Sequence, residues 1–268
     1  MVKLKNYNVV WKQIVLFLTL FSVSSCHEQK QYLTKIEGKK IAITQNLLAT
    51  DNTKSKSNLA VDIENFIKPY RDHIDKDLNT VIAYNPETLD KSGEWQSNIG
   101  NFLADITLEK GNFVFQKRFN KTLDICLLNH GGIRAILPKG EVTSRTAYQI
   151  MPFENSLFII ELKGEQIQEM VNYIIKEKKP HPLSGMTFTI DKNNQSKDIM
   201  IKGQPLDLNK IYSVGTSDYL SNGGDNMVFF KKNIAIHDMD YKLRNILIDY
   251  FVEVDTIKVN KNPRITKE

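Results

Sequence analysis

The chain has 268 residues, 41% hydrophobic and 25% charged, which excludes a disordered or fibrous polymer and fits one sizeable globular domain or two small ones. Lys and Arg exceed Asp and Glu by five, and three of those cations (Lys3, Lys5, Lys12) precede residue 26, where no acid lies. The remainder carries only about +2, too little to argue for nucleic acid or an anionic membrane surface as a partner.

The basic start leads into an apolar run, Ile14 to Val23. It is about ten residues long, the length of an export-signal core and too short to span a bilayer. Val23-Ser24-Ser25-Cys26 follows and resembles a bacterial lipobox, where small side chains precede the cut and the cysteine thiol takes a diacylglyceryl group. Residues 1–25 are therefore expected to be a lipoprotein signal peptide, with Cys26 as the lipidation site. The mature chain is then exported and lipid-anchored to a bacterial membrane, on its periplasmic or surface side. The alternatives are a plain signal peptide or an anchor that stays attached. Each buried lipid methylene contributes about 0.8 kcal/mol, so acyl chains hold an otherwise soluble domain at a membrane. Residues 26–60 are polar and read as a tether, with one short strand at Ile36–Ile43.

Residues 61–268 form the domain, and its helices stand out by period. Ile63, Phe66, Ile67, Tyr70 and Ile74 share one helical face, with Pro69 expected to kink the helix. Ile99, Phe102, Leu103 and Ile106 mark a second helix, capped by Ser97 or Asn98. Ile167, Met170, Val171, Ile174 and Ile175 mark a third, and Leu243, Ile246, Leu247, Tyr250 and Phe251 a fourth. Strand-prone runs lie at 123–128, 157–162, 187–190, 198–201 and 211–216, and Asn193-Asn194 predicts a hairpin turn. Helices and strands mix without regular β-α-β alternation, which favours an α+β fold over a doubly wound parallel sheet. Cys126 sits in an apolar run and reads as core, with no partner for an intrachain disulfide in the mature chain.

Three loop segments carry chemistry. Asn129-His130-Gly131-Gly132-Ile133-Arg134 joins a backbone able to approach a ligand closely to an amide and a planar guanidinium suited to phosphate or carboxylate. The plain reading is a tight turn with a surface Arg. Met151-Pro152-Phe153-Glu154-Asn155 places an aromatic on a rigid loop, a platform for a flat ring unless Phe153 is simply core. Tyr219-Leu220-Ser221-Asn222-Gly223-Gly224-Asp225 has an aromatic at one end and a carboxylate at the other, or is a Gly-Gly-Asp turn.

In order, these segments read N-x-G-G-I-R, then P-F before a strand ending in Leu162-Lys163-Gly164, then an aromatic followed by L-x-N-G-G-D. Asn98-Ile99-Gly100-Asn101-Phe102-Leu103-Ala104-Asp105 and Arg264-Ile265 extend the pattern over roughly residues 60–266. The set resembles the C-terminal domain of the 5'-nucleotidase family. The resemblance implies a single domain of mixed sheets with flanking helices. It also implies that Phe153 and Tyr219 clamp a nucleobase and that Asp225 holds the ribose hydroxyls. Asn129 and Gly131 would contact base or sugar, Asn222 would be a further substrate-binding residue, and Arg134 would reach toward phosphate. Tyr219 stands where the family usually has Phe. The family's further Arg before the helix at Asn98 is missing from Lys91-Ser92-Gly93-Glu94-Trp95-Gln96.

Full-length family members carry a metallophosphatase domain with metal ligands in Asp-x-His, Gly-Asn-His-Glu and Gly-His-x-His segments, and none of these occurs here. The five histidines are scattered. The expectation is a nucleotide-recognition subunit without cofactor or catalytic residue of its own. It would bind a nucleoside or nucleoside monophosphate and work with a metallophosphatase chain that brings divalent metals. The alternatives are a nucleotide-scavenging lipoprotein without catalysis and, ranked last, a stand-alone hydrolase with an unseen site.

Overall fold

A computed structural model of the chain describes residues 58–268. The expected signal peptide, Cys26 and the strand at Ile36–Ile43 lie outside the described residues. In chain order the elements are α1 (Asn58–Asn79), β1 (Val81–Asn85), α2 (Asn98–Phe119), β2 (Ile125–Leu127), β3 (Gly140–Thr143), α3 (Ser144–Ile150), β4 (Ser156–Lys163) and α4 (Gly164–Glu177). There follow β5 (Leu183–Ser184), β6 (Met186–Ile190), β7 (Ser196–Ile201), β8 (Gln204–Pro205), β9 (Ile211–Ser217), α5 (Asp218–Ser221), β10 (Ala235–Lys242), α6 (Leu243–Glu253) and β11 (Ile265–Lys267).

The architecture is α+β. Its centre is a five-stranded mixed sheet in the order β10-β4-β9-β2-β5, beside a four-stranded sheet β11-β6-β7-β8 and the pair β1-β3. The central sheet is covered on both faces. From β4, Leu157 and Ile159 join one apolar layer with Phe102, Leu103, Ile246 and Phe251 of α2 and α6. Ile160 and Leu162 point the other way, into a layer with Ile167, Met170 and Ile174 of α4 and Phe188 and Ile190 of β6. A strand buried on both faces reads as a continuous apolar run rather than an alternating one, which is how Leu157–Leu162 looks in the sequence. Cys126 is free and fully buried, and burial pushes its thiol up, away from reactivity.

Ser97 caps α2, its hydroxyl accepting from Gly100 N–H at 3.2 Å. The Asn193-Asn194 turn joins β6 and β7 as an antiparallel hairpin, with Asn194 at φ 58°. One boundary departs from the expectation: residues 58–60, placed in the tether, are helical, in a helix that includes Pro69. The face read from the period is not packed: Phe66 is 71% and Tyr70 63% exposed. Arg145 of α3 pins the C-terminal end of α1 through Asn79 Oδ1 (2.7 Å) and Asp75 Oδ1 (2.5 Å).

Candidate functional site

Register explains why three distant loops meet. β2 and β9 run parallel, with Ile125 opposite Val214, so their C-terminal ends share one edge of the central sheet. β4 runs antiparallel to β9, with Leu157 opposite Ser217, so the N-terminal end of β4 lies on that same edge. The loop after β2 carries Asn129 to Arg134, the loop before β4 carries Phe153, and the segment after β9 carries Tyr219 to Asp225. Together they enclose an open cleft of about 320 Å³ lined by Asn129, Gly131, Gly132, Arg134, Phe153, Asn155, Tyr219 and Asp225.

Of the residues expected at the site, Asn129, Gly131, Arg134, Phe153, Tyr219 and Asp225 line this cleft. Asn222 does not line it; its amide donates to Asp218 O at 2.8 Å and holds the turn beneath. Phe153 and Tyr219 are each 47% exposed, so neither is a core aromatic. Gly132 and Asn155, from the same two loop segments, line the cleft as well.

Hydrogen bonds within the cleft already orient its polar groups. Asp225 sits at φ 50°, a left-handed conformation that Asp tolerates better than bulky residues. Its Oδ2 accepts from Asn129 Nδ2 at 2.7 Å and its Oδ1 from the Tyr219 hydroxyl at 2.9 Å. A carboxylate offers about four lone-pair sites, so acceptor capacity remains for two ligand hydroxyls. The Tyr219 ring lies against Gly224, where a Cβ would come within 2.5 Å of the ring. A Cβ on Gly132 would sit 2.9 Å from Asn129 Oδ1, so this glycine makes room for the Asn129 amide. The Arg134 guanidinium stands 5.8 Å from the Phe153 ring centroid.

Residues that the motifs did not reveal support the cleft from behind. Tyr173 of α4 donates its hydroxyl to Asp225 O at 2.7 Å, and burial first, then Glu177 and Asp225, push that phenol up to about 12. His181 is buried, and its Nδ1 accepts from His130 N–H at 3.2 Å. Burial, then the neighbouring His130, push His181 down to about 4, so it is neutral at pH 7. Arg244, at the start of α6, is buried and donates to Met151 O (3.4 Å) and Pro152 O (3.1 Å) while pairing with Glu154. It thereby fixes the loop that presents Phe153. Nothing in the local sequence marks these contacts, because each partner is more than fifty residues away along the chain.

Among the described residues no group of three or more His, Cys, Asp or Glu is placed to hold a metal ion. No described helix is long and apolar enough to cross a membrane.

A family model described as 5'-nucleotidase, C-terminal domain, matches residues 78–232. The chain is similar to the trifunctional nucleotide phosphoesterase protein YfkN of Bacillus subtilis, at 23% identity over 262 residues, covering 88% of this chain and 17% of that protein. It is also similar to an apyrase of Tabanus yao, at 24% identity, covering 74% of this chain and 40% of the apyrase. Its fold matches the crystal structure of a 5'-nucleotidase precursor from Thermus thermophilus with a TM-score of 0.65 and 24% identity, over 76% of this chain and 42% of that one. The chain thus spans less than half the length of these relatives.

Proposed function

Because the chain belongs to the 5'-nucleotidase C-terminal domain family, we propose that it is the nucleotide-recognition component of a 5'-nucleotidase, binding base and ribose while a separate metallophosphatase chain supplies the metals and the hydrolysis. One observation carries this reading: six motif residues from three distant segments line one cleft, with both oxygens of the Asp225 carboxylate held by donors that orient it. A base slides between the Phe153 and Tyr219 rings, and base–aromatic stacking contributes about 1–3 kcal/mol per base. The ribose diol donates to the Asp225 carboxylate. Asn129 and the Gly131 backbone complete the polar contacts, and Arg134 faces the phosphate side.

The described residues do not fit a dinuclear metal centre, having no cluster of His, Cys, Asp or Glu of the required kind. In this reading hydrolysis belongs to the partner chain, and attachment through Cys26 would hold the pair at a membrane. Affinity capture of the tagged chain from its native source tests this reading. Metal-dependent AMP phosphatase activity should co-elute with the wild-type chain. Nucleotide binding with no phosphatase activity retained would instead favour the scavenging reading.

A further inference from the structure

Resting on the nucleotide reading above, we infer that the Tyr219 hydroxyl is a specificity-determining group: by locking the Asp225 carboxylate, it makes the cleft select a ribonucleoside over the 2'-deoxynucleoside. A plain phenyl ring would stack on a base equally well, so stacking does not require the hydroxyl. The hydroxyl makes two hydrogen bonds, both to one residue. It donates to Asp225 Oδ1 at 2.9 Å and accepts from the Asp225 backbone N–H at 3.2 Å. The ring that carries it is seated on the Gly224 backbone, where an added Cβ would come within 2.5 Å of Cε1 and Cζ.

The other two polar atoms of Asp225 are also held. Its Oδ2 accepts from Asn129 Nδ2 at 2.7 Å, and its carbonyl oxygen accepts from the Tyr173 hydroxyl at 2.7 Å. All four polar atoms of Asp225 therefore have a partner, although the residue is exposed at the cleft. An exposed Asp ordinarily turns easily about Cβ–Cγ, because that torsion has broad minima. In this cleft such a turn breaks a hydrogen bond at each carboxylate oxygen at once. Each oxygen accepts about two hydrogen bonds, so one lone pair per oxygen is left for a ligand, in a fixed direction. The vicinal hydroxyls of a ribose donate one to each. A 2'-deoxyribose supplies only one donor, and the locked carboxylate cannot turn to share it without releasing Tyr219 or Asn129. A site whose polar group is left unmatched rejects the analogue that lacks the hydroxyl. Without the Tyr219 hydroxyl the carboxylate pivots on the Asn129 bond alone, and one sugar hydroxyl satisfies it nearly as well as two.

The test is calorimetric titration of adenosine and 2'-deoxyadenosine into the full chain, comparing wild type, Tyr219→Phe and Phe153→Ala, with thermal unfolding as the check on folding. Tyr219→Phe removes one oxygen atom from a half-exposed ring and keeps the ring's contact with Gly224. The readout is the ratio of the two affinities, which a change in stacking or folding alone does not move. Wild type should favour adenosine about tenfold, the scale of one hydrogen bond to a charged group. Tyr219→Phe should shrink that preference to about twofold, whereas Phe153→Ala should weaken both ligands and keep it. An undiminished preference in Tyr219→Phe overturns the inference, including the case where both ligands weaken equally and the hydroxyl merely steadies the ring. A larger preference also overturns it, since the hydroxyl would then be competing with the sugar for Oδ1. If both nucleosides bind wild type equally, this inference alone fails and nucleoside recognition stands. If neither binds wild type, the nucleoside reading fails and this inference falls with it.

Discussion

In the proposed reading nucleoside recognition turns on Phe153 and Tyr219, and their exposure separates binding from stability. A core phenylalanine truncated to alanine typically costs about 3–5 kcal/mol of folding stability. Both rings here are half-exposed, so Phe153→Ala and Tyr219→Ala should each leave thermal unfolding nearly unchanged while weakening adenosine binding by about 1–3 kcal/mol. Calorimetry and unfolding on the same samples separate the two effects, and unchanged affinity in both variants would sink the clamp. His181 gives the residue scale a pH signature. Its folded value of about 4 lies below the ordinary 6.5, so the unfolded chain binds the proton more readily over that interval. Its contribution to stability is complete above about pH 6.5 and is lost as pH falls toward 4, by up to about 3 kcal/mol. Denaturant unfolding at pH 7 and pH 4.5 should show that loss, and His181→Gln should flatten the difference between the two.

At the scale of elements, the site is a consequence of strand direction. The parallel pair β2–β9 and the antiparallel pair β9–β4 place two strand ends and one strand start on the same edge, where loops emerge with free backbone groups. Arg244 connects α6 to that edge, holding the carbonyls of Met151 and Pro152. Arg244→Met removes charged hydrogen bonds worth about 1.5–3 kcal/mol each and frees the Phe153 loop. It should lower stability and nucleoside affinity together, in contrast to Phe153→Ala, which should lower affinity alone. Titration and unfolding of the two variants side by side make that distinction.

The sequence made these elements legible unevenly, for physical reasons. The strands at 125–127, 156–163 and 211–217 are buried on both faces or nearly so, and their apolar runs are plain to read. β10 was not anticipated: it is an edge strand, its side chains Ile236, Asp238 and Asp240 face solvent, and Asp240 at φ 43° interrupts the alternation. β1, β3 and α3 also escaped, being short pieces whose order comes from tertiary contact. The amphipathic period of α1 correctly predicted a helix but not a buried face, since the period reports which residues share a side and not whether anything covers it. Within the site, Asn129, Phe153, Tyr219 and Asp225 were readable because their chemistry lies inside short motifs. Tyr173, His181 and Arg244 were not, because only the folded chain brings them behind the cleft.

On the scale of the whole molecule, the chain covers 17–42% of the length of the relatives reported above. The described fold supplies a rigid platform of two apolar layers about one sheet, and the polar groups of the cleft on its edge are oriented before any ligand arrives. Little reorganisation then opposes binding, which favours affinity for a ligand that fits the cleft. The proposed separation of recognition from hydrolysis makes a metal-free experiment decisive. Adenosine and AMP should each be titrated calorimetrically into the purified chain in the presence of a chelator, with circular dichroism confirming the fold. Saturable one-site binding, lost in Phe153→Ala, is the result expected of a nucleoside cleft that needs no metal. A folded chain that takes up neither adenosine nor AMP would contradict nucleoside recognition by these residues.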